Sequence, residues 1–186
     1  RGALHNTNRL TARFLSLLGP CADTYGSYSS AAATFATPFV LGTNMAGIDP
    51  GTLQHAGLIL LWGANIADCR LGSEWEMRIR EAKRRGVEVI VIDPRCTNTV
   101  RRLGTRWVPV RPGTDSALMM AVLYVLIEEG LVDLGFVDRY SVGYAGLKNH
   151  ILGSDDGRPK TPAWAEALCG TPAATISELA RLYGRS

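Results

Sequence analysis

The sequence of 186 residues lacks the patterns that mark several common classes of protein. Its four cysteines lie far apart and form no C-x-x-C pair, which excludes a local zinc or iron–sulfur motif and gives no disulfide framework. The three histidines are also isolated along the chain, and we interpret them as structural or surface residues. The longest apolar run, residues 117–127, is too short to cross a bilayer. The chain begins at Arg1 without a methionine or a signal peptide, and we expect it to be a fragment of a longer protein.

A strong charge of one sign is also missing. The net charge is +3, which is too weak to argue for a nucleic-acid or membrane partner, and we predict no binding to nucleic acid. Hydrophobic residues make up 46% and charged residues 20%, as in ordinary globular proteins, and the length allows one large or two small domains. Basic residues cluster between positions 78 and 111. We interpret most of them as the solvated face of a helix, although a few could line a channel for an anionic cofactor.

Residues 58–93 form the unit around which the chain is organised. The apolar run 57–62 predicts a buried strand that ends at Gly63, and the β-branched run 87–92 predicts a second strand that ends at Asp93. The segment between them predicts a helix, so the unit is βαβ and the sheet is parallel.

The predicted helix has a clear start and a buried face. Ser73 and Glu76 have the Ser-x-x-Glu spacing of a capping box, with Ser73 as the N-cap. Trp75, Ile79 and Ala82 recur at the period of one helix face, which we expect to pack on the sheet.

The ends of these two strands are candidate ligand contacts, because α/β sheets bind ligands at the carboxyl ends of their strands. Gly63 would let the backbone approach a phosphate, and Asp93 would accept hydrogen bonds from ribose hydroxyls. The G-x-G-x-x-G fingerprint is absent, which argues against an ordinary NAD site. The alternative is that Gly63 only turns the chain and Asp93 only caps a loop.

The rest of the chain predicts short helices and one further strand. A run of small residues from Ala31 predicts a helix that ends at Pro38, with Ser29 or Ser30 as its N-cap. Pro109 makes the strand 107–110 an edge strand or a strand end. The other predicted helices span residues 6–18, 97–103, 116–129 (buried on all sides), 133–140, 163–168 (capped by Thr161) and 173–183 (capped by Thr171).

Asp115, at the start of the helix 116–129, has two possible roles. Either Thr114 or Asp115 is suited to cap the helix. A carboxylate here can also grip a guanine edge, because it accepts from N1–H and from the exocyclic amine together.

Four segments, taken in order and spacing, resemble one family. The chain is similar to the molybdopterin oxidoreductases of the dimethyl sulfoxide reductase type, most closely to the anaerobic dimethyl sulfoxide reductase catalytic subunits. The similarity covers nearly the whole chain, and residues 160–165 agree as well. The four segments are Tyr-Gly-Ser-Tyr-Ser-Ser at 25–30, Leu-Trp-Gly-Ala-Asn at 61–65, Val-Ile-Asp-Pro-Arg at 91–95 and Val-Arg-Pro-Gly-Thr-Asp at 110–115.

The resemblance implies a Rossmann-like three-layer α/β sandwich with a mostly parallel sheet, forming the dinucleotide-binding domain of a larger molybdoenzyme. It implies a segment 1–56 that carries the metal-ligand loop and a guanine-dinucleotide-binding domain 57–186. The implied cofactor is molybdenum bis(molybdopterin guanine dinucleotide). The residues that would contact it are Trp62, Gly63, Ala64 and Asn65 at the diphosphate, Asp93 at the ribose, Asp115 at the guanine, and Pro94, Arg95, Thr97, Gly113 and Thr114 close by.

By the same resemblance, Ser29 is the protein ligand to molybdenum and the one catalytic residue. We choose it over its neighbours Ser27 and Ser30 because the pattern is Tyr-Ser followed by small residues. A hard alkoxide suits a high-valent, oxo-bearing metal better than a thiolate does. The implied reaction is oxygen-atom transfer from a small S-oxide or N-oxide in anaerobic respiration.

The resemblance also implies partners that this chain does not contain. A 4Fe-4S cluster is expected in an N-terminal part outside this sequence, with an iron–sulfur electron-transfer subunit, a membrane anchor subunit and a prokaryotic periplasmic or membrane-associated location. Two alternatives stay open. One is another molybdopterin reductase, of the polysulfide, selenate or arsenate type. The other is a noncatalytic Rossmann-like nucleotide-binding domain.

Overall fold

The fold is seen in a computed structural model, which describes residues 7–22, 30–43, 47, 49–69 and 73–186. The chain divides into two compact units, residues 1–48 and residues 49–186, and each is described by itself. In the described ranges no helix is both long enough and apolar enough to cross a bilayer.

The described part of the first unit holds two helices, α1 (Thr7–Leu18) and α2 (Ala31–Leu41). Ser30 occupies the N-cap position of α2 but makes no side-chain capping bond. The predicted end at Pro38 is wrong, since α2 continues to Leu41 and stops at Gly42, whose φ is 74°. Pro38 lacks an N–H, yet its carbonyl still accepts from the Gly42 N–H at 2.9 Å, so the last turn keeps a hydrogen bond.

The second unit is built on a parallel sheet of three strands in the order β1 (Leu58–Trp62), β2 (Glu88–Ile92) and β3 (Arg106–Val108). The parallel pairing predicted for the two strands of the βαβ unit is confirmed. β3 is an edge strand of this sheet and ends just before Pro109, as the proline predicts. The register aligns the last residues of all three strands, Trp62, Ile92 and Val108. Residues that follow the strands therefore emerge at one level.

The helices of the second unit connect and cover these strands. A 3-10 helix, Pro50–His55, precedes β1. The α-helices are α3 (Ile66–Cys69), α4 (Ser73–Arg84), α5 (Asn98–Arg102), α6 (Asp115–Glu128), α7 (Leu134–Tyr140), α8 (Tyr144–Leu152), α9 (Pro162–Cys169) and α10 (Ala173–Arg185). Neither the short helix α3 nor the helix α8 is predicted from the sequence.

The side chains of β2 separate two hydrophobic cores, one on each face of the sheet. Ile90 and Ile92 pack with α6, α9 and α10, whereas Val89 and Val91 pack with Ile79 of α4. This alternation follows from the two-residue period of a strand. It produces helix, sheet and helix layers, so the predicted three-layer α/β class is confirmed.

Two helix predictions for the second unit were wrong in detail. α6 is not buried on all sides, because Met119 is 48% exposed while its neighbour Leu118 is fully buried. Thr171 does not cap α10. It is fully buried and its hydroxyl donates to the Pro109 carbonyl at 2.7 Å, while α10 begins two residues later. The Thr171 hydroxyl is thus used to tie the segment before α10 to the residue that follows β3.

Two adjacent alanine substitutions in α6 should separate the contributions of its buried and exposed sides to stability. Leu118→Ala should lower the free energy of unfolding by about 2–5 kcal/mol, because it leaves a cavity in a closed core. Met119→Ala, on the exposed side of the same turn, should cost about 0.5 kcal/mol or less. Urea unfolding of both variants checks this. Equal losses would mean that the exposed side of α6 also contributes a buried contact.

Candidate functional site

The segments after the three strand ends carry most of the predicted site residues. Trp62 is the last residue of β1, Asp93 follows β2, and Asp115 begins α6 after the loop that leaves β3. The Trp62 indole N–H donates to Oδ1 of Asp115 at 2.8 Å. The strand end of β1 and the start of α6 are thus joined directly, although the two residues lie 53 positions apart.

Gly63 forms the turn after β1 in a left-handed conformation, with φ of 60°. Its N–H donates to the Ile92 carbonyl at 2.9 Å, which extends the pairing of β1 with β2 by one bond. A Cβ at this position would meet no atom within 4 Å, so the backbone faces open space. The turn that the sequence predicts is present, and the open approach is what a ligand phosphate would need.

Asp93 is held in a tight turn and is only 7% exposed. Its Oδ1 accepts from the Arg95 N–H at 2.8 Å, and its backbone carbonyl accepts from the Trp107 indole at 2.8 Å. The loop-capping role is therefore present. In the described part of the chain no hydrogen bond reaches Oδ2, which leaves one acceptor atom for a ligand hydroxyl.

Thr97, predicted near the cofactor, acts in the structure as the N-cap of α5. Its hydroxyl accepts from the Val100 N–H at 3.4 Å, and its side chain is mostly buried. Pro94 and Arg95 are exposed in the turn before it.

Asn65 belongs to a side-chain network that is not predicted from the sequence. Its Oδ1 accepts from the Thr99 hydroxyl at 2.7 Å, and that hydroxyl accepts from the Ala67 N–H at 3.0 Å. Its Nδ2 donates to Asp68 at 2.9 Å, and Asp68 also accepts from Asn98 at 2.7 Å. The side chain of Asn65 is thus used to tie the β1 loop to α5. The sequence shows Thr99 as a polar residue, but its spacing from the neighbouring residues does not predict that it is fully buried.

The hydrogen bonds of this network also stabilise the ionised form of the Asp68 carboxylate. Hydrogen bonds from Asn98 and Asn65 lower the pKa of the Asp68 carboxyl below its ordinary value of 3.8, with smaller contributions from Arg102 and Arg95. Ala64, next to Asn65, is half-buried against the α4 side of the sheet.

The loop before α6 is fixed by its own residues. Gly113 has φ of 77°, and the Thr114 hydroxyl donates to the Arg111 carbonyl at 2.7 Å. Thr114 occupies the N-cap position but makes no side-chain capping bond. Asp115 is the first residue inside α6, where a negative charge is favoured by the helix dipole. Its carboxylate contacts Trp62 rather than capping the helix.

A cleft of about 470 Å³ lies beyond the ends of β2 and β3. Arg95 and Arg111 give its wall a positive charge, and Arg111 is braced by the carbonyls of Ala167 and Leu168, each at 3.2 Å. An anionic ligand is the chemistry that fits two such guanidinium groups. The lining comprises Pro94, Arg95, Pro109, Val110, Arg111, Pro112, Cys169 and Gly170.

Two further features bear on metal binding. Ser29, the predicted molybdenum ligand, lies outside the described residues. Within the described ranges, His150, Asp155 and Asp156 are the residues whose metal-type ligand atoms come within 4.8 Å of one another. His150 is therefore not isolated in space. Its Nδ1 lies 3.1 Å from Asp155 Oδ2, and the Lys160 ammonium donates to Asp156 Oδ2 at 2.5 Å, so a lysine already pairs with one of the three possible ligands.

Comparison with known proteins agrees with this architecture. The family model for molybdopterin oxidoreductases matches residues 2–174. The chain is 34% identical to trimethylamine-N-oxide reductase of Haemophilus influenzae over 96% of its length, and 38% and 36% identical to the dimethyl sulfoxide reductases DmsA of Haemophilus influenzae and Escherichia coli over 94% and 95%. It spans 23 or 24% of the length of these relatives.

A solved structure also resembles the chain. Acetylene hydratase from Pelobacter acetylenicus superposes with a TM-score of 0.55 at 29% identity. The superposition covers 67% of this chain and 16% of that protein.

The hydrogen bonds to Asp68 predict a pH dependence of stability. Because the pKa of Asp68 is lower in the folded chain, its stabilising effect is present above its ordinary value of 3.8 and is lost as the pH falls through the lower folded value. Asp68→Asn should therefore lose less stability than the unsubstituted chain when the pH is taken below 3.8. Urea unfolding across this range checks it, with Asp138→Asn, at an exposed acid of α7, as the control. Parallel curves for the chain and for Asp68→Asn would contradict the prediction.

Proposed function

Because the chain belongs to the molybdopterin oxidoreductase family, we propose that it forms the guanine-dinucleotide-binding part of a molybdenum enzyme that reduces S-oxides or N-oxides. The observation that carries this is 34–38% identity, over nearly the whole chain, to relatives named as dimethyl sulfoxide and trimethylamine-N-oxide reductases. The chain spans about a quarter of those proteins, so the reaction is proposed for the longer protein of which such a segment is part. We assign residues 57–186 to dinucleotide binding and residues 1–56 to the metal-ligand segment.

The donors and acceptors at the strand ends fit a guanine dinucleotide. Asp93 and Asp115 each keep a carboxylate oxygen with no hydrogen bond from the described residues, one for ribose and one for the base. Arg95 and Arg111 supply positive charge for phosphates. Gly63 leaves the backbone open to close approach. These features support a molybdopterin cofactor in its guanine dinucleotide form.

Each residue has a distinct task in this proposal. The backbone of Trp62, Gly63, Ala64 and Asn65 faces the diphosphate, while the Asn65 side chain keeps that loop rigid through Thr99. The Asp93 carboxylate accepts from the ribose hydroxyls, and Asp115 accepts from guanine N1–H and the exocyclic amine. Residues 94–97 and 113–114 border the nucleotide.

Ser29 is proposed as the protein ligand to the metal. When bound, the molybdenum cofactor supplies the oxygen-atom transfer and the electron chemistry. The chain's own contribution is to bind the cofactor, orient it and exclude competing ligands. The 4Fe-4S cluster, the iron–sulfur subunit and the membrane anchor belong to the same proposal for the longer protein.

Other chemistries of the family are the main alternative, and the solved neighbour is named as a hydratase. The reductase assignment is preferred because the reductases match 94–96% of the chain at 34–38% sequence identity. The structure of the hydratase covers 67% of the chain, and its sequence identity is 29%. Replacement of Ser29 by Cys in the longer protein, with assays on sulfoxide, N-oxide, polysulfide, selenate and arsenate, would separate these reductase types. A noncatalytic nucleotide domain would bind nucleotide in a protein that carries no molybdenum.

Calorimetric titration of this chain with nucleotides tests the binding proposal. GDP should bind more tightly than ADP or NAD, because only guanine offers two adjacent donors to one carboxylate. Asp115→Ala should weaken GDP binding by about tenfold or more, since hydrogen bonds to a charged group are among the strong ones. Equal affinity for the three nucleotides would favour a generic nucleotide domain. Unchanged GDP binding in Asp115→Ala would remove Asp115 from the site.

The isolated chain should not reduce dimethyl sulfoxide with a reduced viologen donor. It spans only 23 or 24% of the reductases it resembles, so we expect a complete cofactor site to need further segments of the longer protein. The measurement is viologen oxidation by the purified chain after incubation with cofactor, beside a longer protein of the family. Turnover by this chain alone would contradict the expectation.

A further inference from the structure

We propose that Trp62 is a positioning residue for base recognition, which acts by fixing the carboxylate of Asp115. This inference rests on the proposed function and assigns to Trp62 a role beyond contact with the diphosphate. The observation is the hydrogen bond of 2.8 Å from the indole N–H to Oδ1 of Asp115.

The indole is itself held in place from two sides. Trp62 is the last residue of β1, and its backbone is paired in register with Ile92. Its ring packs against the core between the sheet and α6, the cluster that contains Ile92, Val108 and Leu118. A side chain fixed by strand and core cannot follow a moving carboxylate, so its N–H defines where Oδ1 lies.

At the acceptor end of this hydrogen bond, the position of Asp115 is fixed but the orientation of its carboxylate is not. Asp115 is anchored by α6, yet the rotation of a carboxylate about its terminal torsion is soft. In the described residues the Trp62 indole is the group that hydrogen-bonds this carboxylate. It therefore sets the carboxylate plane and leaves Oδ2 unoccupied.

A fixed plane matters for a ligand that donates two parallel hydrogen bonds. Guanine presents N1–H and an exocyclic amine side by side, and both bonds are good only when the carboxylate is coplanar with the base. Each carboxylate oxygen has room for two donors, so Oδ1 can keep the indole bond while it accepts from the base. Hypoxanthine presents N1–H alone, so its binding depends less on this plane.

The second tryptophan beside the site provides a contrast. The Trp107 indole donates to the backbone carbonyl of Asp93, not to its carboxylate. That bond fixes the turn that carries Asp93 and leaves the carboxylate to the Arg95 N–H. Orientation of a recognition carboxylate by an indole is thus specific to Trp62 among the described residues.

The test compares GDP with inosine diphosphate on the 186-residue chain. In the unsubstituted chain GDP should bind about tenfold more tightly, because the extra amine donates to a charged acceptor. Trp62→Phe keeps an aromatic ring in the core but removes the N–H together with part of the ring system, so a control with the same loss of ring size is needed. It should weaken GDP binding and reduce the preference for GDP to about threefold or less. Trp164→Phe is the matched control, since Trp164 packs against the same core and makes no described hydrogen bond to a predicted site residue; it should leave the preference unchanged.

A double-mutant cycle provides the second readout, because residues that act through one another do not contribute additively. In the Asp115→Ala background, Trp62→Phe should change GDP affinity by less than about twofold. A Trp62→Phe chain that keeps the full preference for GDP, or that loses the same affinity with and without Asp115, would overturn the positioning role. Failure of the unsubstituted chain to bind GDP is a different result, since it overturns the assignment of guanine binding to residues 57–186 and the inference that rests on it.

Discussion

The parallel register of three short strands is the constraint on which the rest of the structure depends. Trp62, Ile92 and Val108 are aligned, so the segments that leave β1, β2 and β3 start from one level. Parallel strands need helical crossovers, and these cover both faces of the sheet and leave the carboxyl ends open. A slip of one residue would move Ile90 and Ile92 out of their core and put Val89 and Val91 in the wrong one. The two cores therefore fix the same register that places the site.

The site is held together by hydrogen bonds that cross between loops rather than by the loops themselves. Trp62 reaches α6, Trp107 reaches the turn after β2, and Asn65 reaches α5 through Thr99. Each of these hydrogen bonds uses one polar group of a side chain to hold a neighbouring turn or helix in place. Oδ2 of Asp93 and both carboxylate oxygens of Asp115, of which Oδ1 also holds the indole bond, are the acceptors that a nucleotide would use under the proposed function. Preorganised acceptors of this kind lower the cost of ordering on binding.

Much of the fold could be predicted from the sequence, because its signals are local. The β-branched run of β2, the face of α4 formed by Ile79 and Ala82, and the proline that ends β3 each act within a few residues. The predictions that failed depended on partners far along the chain. Thr171 has the sequence context of a helix N-cap, but its hydroxyl donates to the carbonyl of a residue 62 positions away. Met119 lies in an apolar run, yet the helix turns it to the surface.

The sequence by itself determined the parallel βαβ unit and the family to which the chain belongs. These follow from periodicity and from motifs that are contiguous in the chain. Only the tertiary structure decided how the side chains at the strand ends are used. It paired Trp62 with Asp115, committed the side chain of Asn65 to a network with Thr99, and turned Asp115 away from helix capping. Hydrogen-bond partners are chosen by distance and direction in space, and sequence spacing carries neither for residues 30 or more positions apart.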